Sequence, residues 1–478
     1  MNIVISNKIR IENSTPSLRR WIRQEYTIDN PEYITLKRLG KKAWGVNPKL
    51  KLYEQYDDTL ILPYGCLQAL YIFLINTTDL TTVEITSKLN RDKTADWEGN
   101  TIIPRDYQRV AVNQMLLAKF GILKAPCSSG KTVMGHLIAQ KTGMRTLWLT
   151  HTAALLNQSK AIGEMILGKG DRVGTITEGK VNPGRTITYA TVQTMSMLDP
   201  KQYKDQYNCV ICDECHRVSK TADAYTQFSY VLNNVAAEYK YGLSATPETN
   251  NGYGKSIMCN IGDIKHTIPK DVLEKNGTIM PVEIRPIQTE WTYPKEAFKA
   301  NGVLDFDKAI PYLRSDENRN GLIATLIGDR PTLILSNNID HLCYIANALS
   351  MRQQERACLV STTHNEDVLK ADILCNHSRK ATAQYIDMIR NGELDIMFAT
   401  YQLAKEGLNI PRLEQVILAF PAVDENIITQ SVGRVARCCE GKTEAVCYDL
   451  VDTPTWFQKH WRERKRLYKK NNNQIRGD

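Results

Sequence analysis

The chain has 478 residues, 42% hydrophobic and 24% charged, which suits two to four ordinary domains and excludes wholesale disorder. No apolar run reaches the ~18–20 residues of a membrane span, Met1–Val4 opens no signal-like segment, and 12 cysteines follow no disulfide rhythm, so a soluble protein in a reducing cytoplasm (a host's, if viral) is expected, without a membrane partner. Of the +9 net charge, residues 1–95 carry +4 (14 Lys/Arg, 10 Asp/Glu) and residues 456–478 carry +6 (8 against 2), which points to a polyanion met by the two ends.

Residues 1–95 predict a small mixed α/β domain, because breakers at Asn30-Pro31, Asn47-Pro48 and Tyr64-Gly65 separate short β-like runs. Lys37, Arg38, Lys41, Lys42 and Trp44, with Tyr33 and Tyr53 nearby, interleave cations and aromatics. That pattern suits a phosphate backbone with stacked bases, or equally a packed core of aromatics. Asp92 to Asn100 reads as a polar linker.

From about residue 120 to 290 short β-rich runs alternate with helical stretches. Strands are predicted at 121–124, 146–150, 207–213 and 239–244, with a helix over 132–140 closed by Gly143. The alternation resumes at 332–336, 356–361, 394–400, 415–420 and 445–451. Strands separated by helices imply parallel sheets covered on both faces, hence two α/β domains, 100–285 and 286–455. The tail 456–478 reads as a basic helix with Arg462, Lys465, Arg466 and Lys469 on one face.

The segment Ala125-Pro126-Cys127-Ser128-Ser129-Gly130-Lys131-Thr132 follows a strand and opens a helix. A phosphate-binding loop requires that context, since its backbone N–H groups surround the phosphates. Lys131 is then expected to reach the β- and γ-phosphates and the Thr132 hydroxyl to ligate Mg²⁺, while Gly130 allows close backbone approach. The strand ending at Cys212 delivers Asp213-Glu214-Cys215-His216. Asp213 suits Mg²⁺ and Glu214 suits the attacking water. Cys209, Cys212 and Cys215 imitate a zinc spacing, and residues 212–216 imitate a haem attachment. Cys209 and Cys212 differ in strand parity, so they face opposite ways and are read as core, with neither zinc nor haem.

Tyr241 to Pro247 reads Y-G-L-S-A-T-P, and Gln430 to Arg437 reads Q-S-V-G-R-V-A-R. Arg434 and Arg437 are about one helical turn apart and are expected to share a face, where a guanidinium can oppose charge on a γ-phosphate. Together with the loop at 125–132 and Asp213 to His216, these segments resemble the motifs of superfamily 2 helicases. The likeness runs from about Pro104 to Val451 and is to DExH helicases of the XPB kind and phage recombination helicases of the UvsW kind. It implies two tandem RecA-like domains after a small accessory domain, and an ATP-dependent, Mg²⁺-using DNA helicase or translocase. Its domains would close on ATP, and single-stranded, forked or branched DNA would be its partner.

By the same resemblance Arg105 and Gln108 belong to a Q motif, with Gln108 on adenine. Ala125 to Thr132 bind the nucleotide, and Glu214, Lys131, Arg434 and Arg437 serve catalysis. Ser244 and Thr246 couple nucleotide state to motion, and Thr150 to Thr152, Thr191 and Gln193 meet the strand. Glu406, Gly407 and Asn409 fall in motif V, where Asn409 replaces the family's usual Asp, and Glu248 to Gly254 departs from the XPB pattern. The rival readings are an RNA helicase, a restriction-type translocase (no nuclease constellation is found) and a nucleotide-gated clamp that does not unwind.

Overall fold

The structure, a computed structural model, describes residues 1–477 apart from 39, 41, 78–79, 219–225, 249–251, 362–367, 376–377 and 406–407. Its contacts group into two units, Met1–Pro126 with Gly130–Pro269, and Cys127–Ser129 with Lys270–Asp478. Among the described residues no helix is long and apolar enough to cross a membrane.

The first unit is built on an eight-stranded sheet. Its centre runs Ile187–Thr191, Thr146–Thr150, Cys209–Asp213, Tyr239–Ser244 and Phe120–Lys124, all parallel. Thr146–Thr150 is buried at every position, as a strand covered on both faces must be. Only the edge strand Lys180–Asn182 pairs antiparallel, and its three residues are exposed. Helix Lys131–Thr142 stops at Gly143, which takes the left-handed conformation at φ 66° and gives the turn its exit.

The same unit contains a five-stranded mixed sheet near the N-terminus, ordered Glu54–Tyr56, Thr59–Pro63, Lys8–Glu12, Asn2–Ile5 and Glu84–Ser87. Alternate residues Ile3, Ile5, Ile9, Ile11, Leu60 and Leu62 are buried in one cluster with Leu18 and Ile22 of helix Pro16–Glu25 and Leu70 and Leu74 of helix Leu67–Thr77. That cluster extends into the larger sheet's layer through Cys259 and Phe120. At the junction an added Cβ on Gly65 would lie 2.3 Å from the Met258 carbonyl oxygen, so glycine alone permits the approach. The Tyr64 hydroxyl donates to the Glu238 carbonyl at 3.1 Å. Lys240, 1% exposed, donates to the Leu232 carbonyl at 3.1 Å and lies 4.7 Å from the centre of the Tyr64 ring.

The aromatics of this small domain divide. Tyr53 is buried, whereas Trp44 is 84% exposed and lines a cleft of about 440 Å³ with Tyr33, Lys37 and Lys42. Lys41 and the side chain of Arg38 lie outside the described residues.

The second unit carries another eight-stranded sheet, parallel throughout. Its core strands Thr332–Ser336, Ile396–Thr400 and Gln415–Leu418 are almost wholly buried. The chain's end is woven into it. Helix Thr455–Lys470 buries Phe457, Arg464, Leu467 and Tyr468, and strand Gln474–Ile475 pairs with Glu283–Gln288 at the sheet edge. Arg464 donates to Asp449 at 2.8 Å, and Tyr468 donates to the same carboxylate at 2.7 Å. Arg462, Arg466 and Lys469 are exposed on this helix, and Lys465 is half-buried.

Candidate nucleotide site

Three neighbouring strands of the first unit, Phe120–Lys124, Tyr239–Ser244 and Cys209–Asp213, end on one edge of the sheet. Carboxyl ends of parallel strands are where such sheets bind ligands. The loop 125–130 leaves the first strand with the Ala125 N–H bonded to the Ser244 carbonyl at 2.9 Å. Ser128 (φ 67°) and Gly130 (φ 79°) are both left-handed. Alternation of right- and left-handed residues turns successive N–H groups to one side and forms an anion-binding nest. Gly130 has a second reason to be glycine, because a Cβ there would meet the Gln108 amide nitrogen at 2.5 Å.

Gln108, buried on helix Asp106–Ala118, accepts the Arg105 N–H on its side-chain oxygen at 3.0 Å, and the Arg105 guanidinium donates to the Tyr107 hydroxyl at 3.3 Å. Lys131 opens the helix beyond the nest and donates to the Ala125 and Pro126 carbonyls, each at 3.3 Å. Thr132 follows it, and Ser129 is fully buried beneath the loop. Cys127 is half-buried.

Asp213 is 5% exposed at the end of its strand and accepts the Glu214 N–H at 3.1 Å. Burial, reinforced by the Glu214 carboxylate, pushes the Asp213 carboxyl up to about 7, against the pull of the Lys131 ammonium and of that N–H. Two adjacent carboxylates, one buried, form an environment that a divalent cation relieves, so Asp213 fits a hard, oxygen-ligated ion. Glu214 itself is held left-handed at φ 52°, an uncommon conformation for a residue with a side chain and one found disproportionately at functional sites.

His216 was legible only as the fourth letter of its motif, yet it links two others. Its Nδ1 lies 3.3 Å from Glu214 Oε2 and 3.3 Å from Ser244 Oγ, which in turn accepts the Thr246 N–H at 3.1 Å. At the ends of two other strands, Gln193 donates to the His151 carbonyl at 2.8 Å, which brings together two positions read as strand-contacting. Cys209, Cys212 and Cys215 are buried in the sheet's core layers, and burial pushes the Cys209 thiol up to about 12.

In the second unit, helix Glu425–Val435 stops sooner than the sequence suggests. Arg434 sits in its last turn, whereas Arg437 lies beyond the cap in a backbone bridge with Ile279, so the two do not share a helical face. Arg434 donates to the Leu408 carbonyl at 2.8 Å, and Arg437 donates to the Asn409 side-chain oxygen. Burial, with Arg434 and Arg390 adding repulsion, pulls the Arg437 guanidinium down to about 10. Glu406 and Gly407 lie outside the described residues. Lys442, absent from the sequence-derived set, donates to the Leu413, Val435 and Arg437 carbonyls. A cation shortly after a helix end was the available signal.

Residues 101–249 match the family model described as type III restriction enzyme, res subunit. The ATP-dependent DNA helicase uvsW of Enterobacteria phage T4 is 24% identical over 381 residues, 75% of this chain and 70% of that protein. A protein of Acanthamoeba polyphaga mimivirus named as an ATP-dependent RNA helicase, L396, is 25% identical over 368 residues, 73% of this chain and 64% of its own length. The DNA 3′-5′ helicase XPB of Kineococcus radiotolerans is 22% identical over 377 residues, 76% of this chain and 62% of that protein.

Proposed function

We propose that this superfamily 2 helicase, an ATP-dependent enzyme related to UvsW and XPB, acts on DNA. It spends ATP to unwind or branch-migrate forked and branched duplexes in phage recombination, replication or repair, tracking 3′→5′. What carries the reading is one juxtaposition: Lys131 on a backbone nest, with buried Asp213 and its neighbour Glu214 at the same sheet edge. A cationic cradle for phosphates beside a carboxylate pair for metal and water is the equipment of phosphoanhydride hydrolysis.

In this account the nest N–H groups and Lys131 bind and orient the β- and γ-phosphates, and Gln108 and Arg105 face the base. Mg²⁺, held by Thr132 and Asp213, neutralises phosphate charge when bound. Glu214 takes the proton of the attacking water. Arg434 and Arg437 oppose the negative charge that develops on the γ-phosphate. His216, between Glu214 and Ser244, relays the state of the hydrolytic carboxylate to the Ser244-Ala245-Thr246 segment.

The test is strand separation with ATP on forked DNA, forked RNA and single-stranded DNA, with ATP turnover read in the same samples. DNA-stimulated turnover with displaced strand supports the proposal. Stimulation by RNA alone would make the enzyme an RNA helicase, and nucleotide-dependent retention without displacement would make it a clamp.

A further inference from the structure

Arg437 is half-buried, and among the described residues it makes no ion pair. Its side-chain partners are both neutral oxygens, the amide oxygen of Asn409 and the hydroxyl of Ser128, to which Nε donates at 2.9 Å. Asn409 is itself fixed: its backbone carbonyl accepts Arg390 Nε at 2.7 Å, and Leu408 and Ile410 on either side are buried. The main chain of Arg437 is held just as firmly. Lys442 Nζ donates to its carbonyl at 2.9 Å, and the preceding carbonyl, of Ala436, accepts the Met280 N–H at 2.7 Å. A long, flexible cation is thus held at both ends, its guanidinium by neutral oxygens, none of which neutralises it.

A carboxylate in the place of Asn409 would hold the guanidinium more tightly, since charge-assisted bonds are roughly twice as strong as neutral ones. It would do so equally before and during reaction, in competition with an anionic phosphate. An amide orders the side chain without that competition. Only interactions that strengthen in the transition state raise kcat.

We propose that Asn409 is a positioning residue for Arg437, a neutral acceptor that orients the guanidinium while leaving its charge free for a phosphate, with Lys442 fixing the backbone of the same arginine. The inference rests on Arg437 acting on the nucleotide, and it assigns Asn409 to the arginine instead of to a ribose.

The experiment measures ATP turnover at saturating forked DNA for Asn409→Ala, Asn409→Asp, Arg437→Ala and the double variant Asn409→Ala/Arg437→Ala. Asn409→Ala is expected to lower kcat by about three- to tenfold with KM within about twofold. Asn409→Asp, which keeps the shape and so controls for folding, is expected to lower kcat at least as far. The double variant is expected to be no slower than Arg437→Ala alone, because the two residues act through one contact. A raised KM at unchanged kcat in Asn409→Ala would instead make Asn409 a nucleotide ligand. Wild-type kcat in Asn409→Asp, or multiplied losses in the double variant, would also overturn the positioning role. An unchanged kcat in Arg437→Ala would overturn the catalytic reading of that arginine, and the role of Asn409 with it. A slow Arg437→Ala beside a normal Asn409→Ala would remove only the latter.

Discussion

Arg464 and Arg437 belong to the same unit, the first fully buried and the second half-buried, and they are held in opposite ways. Arg464 faces Asp449 at 2.8 Å, and that ion pair pushes its guanidinium up in spite of burial. Arg319 and Asp452 repeat the arrangement at 2.7 Å. Arg437 faces an amide, the Ser128 hydroxyl and two other arginines, and its guanidinium is pulled down to about 10. In the first unit Asp213 shows the converse, a buried carboxyl raised to about 7 beside a second carboxylate. Folding alone selects paired buried charges, because an uncompensated one is costly. Charges left uncompensated are therefore where a functional role is worth testing.

The contrast can be broken most forcefully at the phosphate cradle. Lys131→Ala is expected to lower nucleic-acid-stimulated ATP turnover by at least ~10³-fold, with the fold intact by circular dichroism. Turnover near wild type would remove the site from residues 125–132. The structural arginine should behave in the opposite sense. Arg464→Ala leaves Asp449 buried without its cation and is expected to cost about 3–5 kcal/mol in denaturant unfolding. A loss below about 1 kcal/mol would show that the pairing does not hold the terminal helix in place.

Lys240 gives a third case, a buried ammonium bonded to a carbonyl and an aromatic ring, which burial pulls down to about 7 from 10.5. The folded state releases this proton before the unfolded state does. Its penalty is therefore full below pH 7 and shrinks as pH rises from 7 toward 10.5, by up to ~1.4 kcal/mol per unit. Lys240→Met is accordingly expected to stabilise the protein most at pH 6 and progressively less up to pH 9, as read by melting temperature. A gain independent of pH would show that the amine keeps its proton in the fold across this range and is not pulled down by burial.

The smallest effect concerns the exposed side of the terminal helix. Because Phe457, Leu467 and Tyr468 are buried, deleting residues 456–478 would expose core and confuse affinity with stability. Replacing Arg462, Arg466 and Lys469 by Gln leaves those contacts alone. Each that meets a duplex phosphate should flatten the slope of log affinity against log salt by ~0.9. An unchanged slope would assign that face to solvent.

The parallel sheets were legible because their strands are short apolar runs with helical patterns between them, and local sequence encodes both. The residues that gather at the sheet edge were legible because phosphate-loop chemistry imposes fixed spacing. The contacts that organise the site were not. His216 meets Ser244, Asn409 meets Arg437 and Lys240 meets Tyr64 only after strands distant in sequence pair. The early end of helix Glu425–Val435 was hidden for a similar reason, since Lys442 and Met280 take up the carbonyls that another turn would have used. Tail charge was misleading as a guide to exposure, because Arg464 lies inward among cations that face water.

The most direct test of the contrast is Arg437→Ala, with ATP turnover at saturating ATP and forked DNA and melting temperature measured on one preparation. An uncompensated charge kept for catalysis predicts kcat lower by at least ~10²-fold with KM nearly unchanged. It also predicts a melting temperature that holds or rises, because a half-buried cation without a carboxylate has been removed. A melting temperature several degrees lower with kcat intact would contradict the account and make Arg437 a structural arginine like Arg464.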